Sequence, residues 1–419
     1  MAGQLGRGSC RTLADALEFL RSCPADNDPL EFVFGDLVND FSEDETKVLC
    51  VLTYFDLPAK VEHVATVTGC DEAPTETALR SLANRSLVVP DTEETAFALV
   101  PLVADFLRRR KPEVVAETGD RLENHAYALV VENGYRKFDN FPVLDAAWPT
   151  VAAALPRFLA GQNDRLQTVC NAFHRFFDFT GRLDEWLALS RDAEVKAVVA
   201  KDFLSAGWRA YEAGWVYYLR GQSAEVLACT DRADKHWRES QADTRERAAA
   251  LRLHGIGHLL AEDYSAAIAA LREAVELGRT ISPENVYIAR CLNSLAKAEY
   301  FSDDIEGAVR DYREALRVAR AVEHREGIAT YTGNLAEVAL SHEDWFSAEV
   351  LSREALLLSE KVGHMGLVAS NCHRLAIALT QQGRKPEALR HARRAVEIFT
   401  ALRSPRLEEA RQSLAECEN

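Results

Sequence analysis

Through the second half of the chain, apolar residues recur at the three- and four-residue spacing of amphipathic helices, and the helices come in pairs. In "LHGIGHLLAEDYSAAIAALREAVEL", Leu253–Leu277, small residues stand at Gly255, Ala267 and Ala274. The same three places hold Ala296, Ala308 and Ala315, then Ala336, Ala348 and Ala355, then Ala376, Ala388 and Ala395. Upstream, Gly214 and Ala233 keep the frame around Val226, and "FHRFFDFTGRLDEWLALS" fits a degenerate first copy with His174 at the anchor. The anchors 174, 214, 255, 296, 336 and 376 are separated by 40 or 41 residues at every step. Small residues where two helices cross let the backbones approach, while Leu295, Tyr312, Leu335 and Leu375 fill the space between hairpins. Polar turns ("LRGQ", "AEDY", "SDDI", "HEDW", "QQGR") separate the helices of each pair. Ser282 of "SPEN" and Ser404 of "SPRLEE" are expected N-caps, each followed by proline at the first helical position. The segment after Ser404 is expected to cap the last hairpin.

The first half reads differently. From Glu43, Val48, Leu49, Leu52, Tyr54 and Phe55 keep helical spacing; "LPAKVEHVATVTG" offers a second helix ending at Gly69, and "DEAPTETALRSLANRS" a third. "LVVPDTEETAFALV" reads as a β-hairpin around an acidic turn, and "PLVADFLRRRKP" as a helix stopped by Pro112. Three helices and a wing-like hairpin predict a winged-helix domain over residues 41–111. Residues 112–164 predict a connecting helical layer broken at Gly134, Pro142 and Pro149, with Trp148 and Phe158 in its core. Residues 1–40 are expected to hold an N-terminal helical segment, and residues 165–419 the array. The fold class is therefore mainly α: a winged-helix domain followed by an α-solenoid of about six helical hairpins and a C-terminal capping helix.

From about Arg165 to Leu402 the small-residue pattern resembles the tetratricopeptide repeat (TPR) family, with a unit longer than the usual length of about 34 residues. From about Leu13 to Leu107 the chain resembles the region that follows the nucleotide-binding core of STAND-type signalling ATPases, the NB-ARC and NACHT-like switches. In those proteins a winged helix closes over nucleotide and helical repeats act as sensor. The resemblance also implies a nucleotide-sensing histidine after the wing, but Val100 stands there. No G-x-x-x-x-G-K-[ST] loop occurs, so neither nucleotide binding by this chain alone nor any other cofactor is expected.

Composition narrows the chemistry. A net charge of −16 repels phosphate backbones, and the third helix carries Asp71, Glu72 and Glu76 against Arg80 and Arg85. DNA is thus an unexpected partner. Arg108–Lys111 close a helix C-terminus, where basic residues complement the dipole anyway. No run of about 18 apolar residues suggests a membrane span, and "MAGQLGRGSC" shows no secretory signal. Nine scattered cysteines without a CxxC pair fit reduced thiols in a cytoplasmic protein. His254, His258 and Glu262 are spaced for one helix face, as metal ligands are. In the repeat frame, though, His254 shares its place with Leu295, Leu335 and Leu375, so scaffold is the expectation and no metal site is assigned. Cys372 and His373 are adjacent and point to different helix faces, so no catalytic pair is expected.

Transferring the repeat family's concave positions onto this frame selects Trp208, Tyr211, Trp215 and Tyr218 on one helix. Neighbouring hairpins add Arg175, Arg252, Arg290, Asn293, Lys297, Tyr300 and His373. Aromatics with arginine suit a protein or peptide partner; the competing reading packs the aromatic stripe against the next hairpin as core. The expected function is a non-enzymatic sensor or adaptor, the regulatory part or a stand-alone relative of a STAND-type switch. The alternative is a winged-helix transcriptional regulator whose repeats sense a ligand.

Overall fold

The computed structural model describes residues 41–419 except 283, 403 and 419, so the expected N-terminal segment, residues 1–40, lies outside the described residues. The chain divides into two compact units, Met1–Val169 and Cys170–Asn419.

In the first unit, α1 (Glu43–Leu52) opens with a capping box: the Ser42 hydroxyl accepts from the Glu45 N–H at 3.1 Å, and the Glu45 carboxylate accepts from the Ser42 N–H at 3.0 Å. Its apolar face, Val48, Leu49 and Leu52, is buried. Helix α2 (Val61–Thr68) ends on Gly69, whose φ of 74° favours glycine, and α3 (Glu72–Asn84) follows. Strands β1 (Ala59–Lys60), β2 (Val88–Pro90) and β3 (Ala96–Leu99) form an antiparallel sheet in the order β1-β3-β2, with Ala59 opposite Phe97 and Val89 opposite Ala98. The β2–β3 hairpin matches the sequence expectation. Strand β1 does not, because two residues next to Pro58 are too few to show an alternation. Asp91 tightens the hairpin turn by accepting from the Thr95 and Ala96 N–H groups at 2.8 and 3.2 Å.

Helix α4 (Pro101–Arg110) gives way to α5 (Pro112–Asn133), so Pro112 opens a long helix at its first turn as well as closing one. Helices α6 (Phe141–Ala146) and α7 (Trp148–Ala160) each begin with an early proline, and Trp148 and Phe158 are buried.

The second unit takes in residues 170–180 of α8 (Asn163–Thr180), which pair with α9 (Leu183–Val199). Hairpins follow: α10 (Phe203–Leu219) with α11 (Ser223–Glu239), α12 (Thr244–Leu260) with α13 (Tyr264–Ile281), α14 (Val286–Phe301) with α15 (Ile305–Ala321). Next come α16 (Arg325–Ser341) with α17 (Trp345–Val362), α18 (Met365–Gln381) with α19 (Lys385–Ala401), and the single helix α20 (Leu407–Glu418). The small-residue frame has a steric cause. A Cβ on Gly255 would lie 2.5 Å from the Leu271 side chain and 3.1 Å from the Ala267 carbonyl. The second- and third-position alanines of the repeats are fully buried.

The acidic turns have two jobs. Glu262, Asp303 and Glu343 adopt left-handed backbone at φ 59°, 69° and 58°, the place taken by Gly221 and Gly383 in other turns. The next residue, Asp263, Asp304 or Asp344, is the N-cap of the following helix and accepts from the N–H of Ala266, Gly307 or Ser347. The caps expected at Ser282 and Ser404 need correction. Asn285 accepts from the Ile288 N–H at 2.9 Å and starts α14, while Ser404 accepts from the Arg406 N–H and α20 begins only at Leu407.

Successive hairpins meet chiefly through the second helix of one and the first helix of the next; first helices also touch one another along the array, as the helices on the inner wall of a repeat superhelix do. The array also meets its own beginning. Arg175 on α8 bridges Asp178 and Glu326, the Phe179 ring lies 4.4 Å from that of His364, and a Cβ on Gly181 would lie 2.7 Å from Leu402.

Candidate docking face

The repeat frame places Tyr211, Arg252, Asn293 and His373 at one position of successive first helices, and Trp215, Lys297 and Glu337 at another. The two positions are a helical turn apart, so they form parallel rows on the inner wall.

The four aromatic residues of α10 divide. Trp208 and Tyr211 pack with Trp237 of the same hairpin, their rings 5.1 and 6.2 Å from the indole. Trp215 and Tyr218 stay half-buried, with ring centroids 5.0 Å apart. Arg252 is 8% exposed. It donates from Nη1 to the Tyr211 hydroxyl at 2.8 Å and from Nε to Ser294 Oγ at 3.2 Å and the Arg290 carbonyl at 3.4 Å. Its guanidinium lies 4.9 Å from the Trp215 ring centroid. Lys297 donates to the Tyr218 hydroxyl at 3.3 Å. Tyr300 is half-buried with its ring edge-on to Phe301. Asn293 accepts from the Asn334 amide at 2.7 Å.

Towards the C-terminus the wall becomes a closed polar network. Arg374 donates to Glu337 at 2.5 Å, to Asn371 at 3.1 Å and to Asn334 at 3.4 Å. His373 Nε2 lies 2.9 Å from the Ser413 hydroxyl, and burial, assisted by Arg406, pushes its pKa down to about 4. Arg175 holds the position of Trp215 in the first copy and lies at the closing seam, with its charge met by Asp178 and Glu326. Sequence reasoning missed Asn334, Glu337, Arg374 and Arg406. Glu337 was within reach, since it follows Lys297 by one repeat, whereas Arg406 stands in a segment that reads only as a cap.

Other chemical candidates resolve locally. The His254 and His258 rings meet edge to face at 4.5 Å, and burial, then His258, lowers the pKa of His254. Glu262 sits in the turn beyond the helix. Asp178, Glu326 and His364 offer ligand atoms within 4.8 Å of one another, but the Arg175 guanidinium already supplies the positive charge there. Burial pushes the Cys372 thiol up to about 11, away from a nucleophilic thiolate. No helix among the described residues is long and apolar enough to cross a membrane.

The inner wall defines the class: a superhelix of paired helices presenting a shared face. Residues 288–323 and 368–403 match the tetratricopeptide repeat family model, and the hairpins there are tetratricopeptide repeats. No curated protein matches the sequence significantly. Among solved structures, a signal transduction ATPase with numerous domains (STAND) with a tetratricopeptide repeat sensor, from Pyrococcus horikoshii, is similar with a TM-score of 0.54 and 16% identity. That match covers 96% of this chain, which spans only 57% of the STAND protein. A Rap protein complexed with Competence and Sporulation Factor matches less closely, with a TM-score of 0.49 and 13% identity over 75% of this chain and 94% of that one.

Proposed function

We propose that this chain is a non-enzymatic adaptor or sensor whose inner repeat wall docks a protein or peptide partner. The observation that carries the reading is the continuous wall itself. Half-buried Trp215 and Tyr218 come from the second hairpin and Asn293, Lys297 and Tyr300 from the fourth; Lys297 bonds to Tyr218 two hairpins back, and Asn293 to Asn334 on the next hairpin. Large rings and amide groups that are partly covered but still wet are what peptide-binding surfaces use. The order helix–strand–helix–helix–strand–strand supports reading residues 41–111 as a winged-helix element. Followed by repeats, it suits the regulatory part, or a free-standing relative, of a STAND-type switch. Free cysteines, mostly buried among the described residues, fit a reducing compartment such as the cytoplasm. The transcriptional alternative gains little. Arg80 pairs with Glu76 and Glu94, and Arg85 with Glu45, so the basic groups at α3 are spent within the unit.

The test is site-specific photocrosslinking in the native host. A Tyr300→p-benzoylphenylalanine variant is expected to trap one defined protein. The same substitution at Phe346, 72% exposed on the second helix α17, is expected to trap none. Equal labelling from both positions, or none from Tyr300, sinks the docking reading.

A further inference from the structure

On its outer side the first hairpin departs from the frame that the others keep. Two residues after the third small position, the later hairpins carry Lys235, Glu276, Arg317, Leu357 and Glu397. Five residues after it they carry Arg238, Arg279, Arg320, Glu360 and Thr400. Counted from Ala193, the same places of the first hairpin hold Val195 and Val198, and Val199 follows. Second helices turn these positions to solvent, where a charge is hydrated and a valine is not. Val195 and Val199 are 65% and 79% exposed. Their three- and four-residue spacing puts the three valines on one face at the end of α9.

The valines run into a groove of about 510 Å³ between α9 and α11, whose wall continues through Ala228 and the buried Cys229. Glu194 is already engaged there. Arg232 donates to its two oxygens at 2.9 and 3.2 Å, and His236 Nε2 lies 3.3 Å from one of them. Arg191 of α9 and Glu225 of α11 line the same groove, and neither makes an ion pair among the described residues.

We propose that this outer face joins two copies of the chain about a two-fold axis, the valines of each copy seated in the groove of the other. In a two-fold contact every pairing occurs twice, so Arg191 of one copy meets Glu225 of the other on both sides of the axis. Charge singles out a second copy as the occupant. Two chains of net charge −16 repel, and they can touch only where the local charge vanishes. Arg191 and Arg232 against Glu194 and Glu225 leave this groove neutral while offering one unpaired group of each sign. An apolar patch rimmed by polar groups is the usual form of such a contact. Because the face lies on second helices, the inner walls of both copies stay open, and the pair presents two docking faces to one guest.

Sedimentation equilibrium of the full chain is the test. At about 20 μM the parent is expected to reach twice the chain mass, the behaviour of a micromolar contact. Val199→Lys should weaken association about a hundredfold, since each lost apolar contact is worth about tenfold and the axis counts it twice. Circular dichroism should show its helix content unchanged, the position being exposed. Arg191→Glu and Glu225→Arg should each weaken the dimer about tenfold by opposing like charges, and the two together should restore it. A parent that sediments as a monomer overturns the proposal, whether or not another protein occupies the groove. So does a dimer indifferent to Val199→Lys, or one weakened by each charge reversal and not restored by both. Crosslinking from Tyr300 reads the inner wall, so its failure leaves the dimer standing, and a monomeric parent leaves the docking reading standing.

Discussion

The two ends of the inner wall make an instructive pair. Around α10, α12 and α14, the cations Arg252 and Lys297 bond only to neutral groups among the described residues. Around α16 and α18, Arg374 is bonded to an acid and two amides, and His373 meets Ser413. The backbone frame is the same, and equivalent positions serve opposite ends. A satisfied network fixes the structure, whereas an unsatisfied one leaves interaction energy for something else. The seam at Arg175 belongs with the first kind, since its guanidinium neutralises two enclosed carboxylates from distant parts of the array.

Breaking the satisfied sites should cost most. Arg175→Gln leaves Asp178 and Glu326 facing each other without a cation, and about 3 kcal/mol of stability should be lost in urea unfolding. Arg374→Met strands Glu337, Asn371 and Asn334. Because Glu337 is partly solvated, the loss should be nearer 2 kcal/mol. Equal stability of either variant and the parent would remove the distinction drawn between the two ends.

A pH measurement separates a third kind of site. Glu299 is fully buried beside Asp311, and burial, then Asp311, raises its pKa well above the ordinary carboxylate range. The folded chain therefore holds a proton that the unfolded chain has released, so stability falls as pH rises from about 4.5 towards neutrality. Glu299→Gln should flatten that slope and leave the chain more stable than the parent at neutral pH, as followed by thermal melts across the range. The smallest effect is expected at the unsatisfied end. Arg252→Met should change stability by about 1 kcal/mol or less, because losing three hydrogen bonds to neutral acceptors is offset by removing a buried, unneutralised charge. A loss as large as that of Arg374→Met would make Arg252 a structural residue.

Local chemistry was legible in the sequence. Close helix crossings require small side chains, so Gly255 and the alanines announce the repeat. Turns require left-handed residues and caps, so "AEDY" and "SDDI" announce the hairpins. Contacts between distant segments were not legible. Arg175 and Glu326 stand 151 residues apart, and no period links them. The aromatic stripe of α10 was ambiguous for a related reason: helical spacing puts Trp208 and Trp215 on one side, but only the neighbouring Trp237 decides that the former is core. Strand β1 was hidden by its brevity, and Asn285 lost to Ser282 because both are good caps and the true start depends on where α13 ends.

The seam has a kinetic side. A coil whose first helix grips its fifth and sixth hairpins would leave a passage open at the ends rather than along its flank. A slender, extended chain can thread such a passage, while a bulky folded domain has to wait for the salt bridge at Arg175 to part. The rate at which that clasp opens then sets the fastest exchange available to a large guest, however tightly it finally holds.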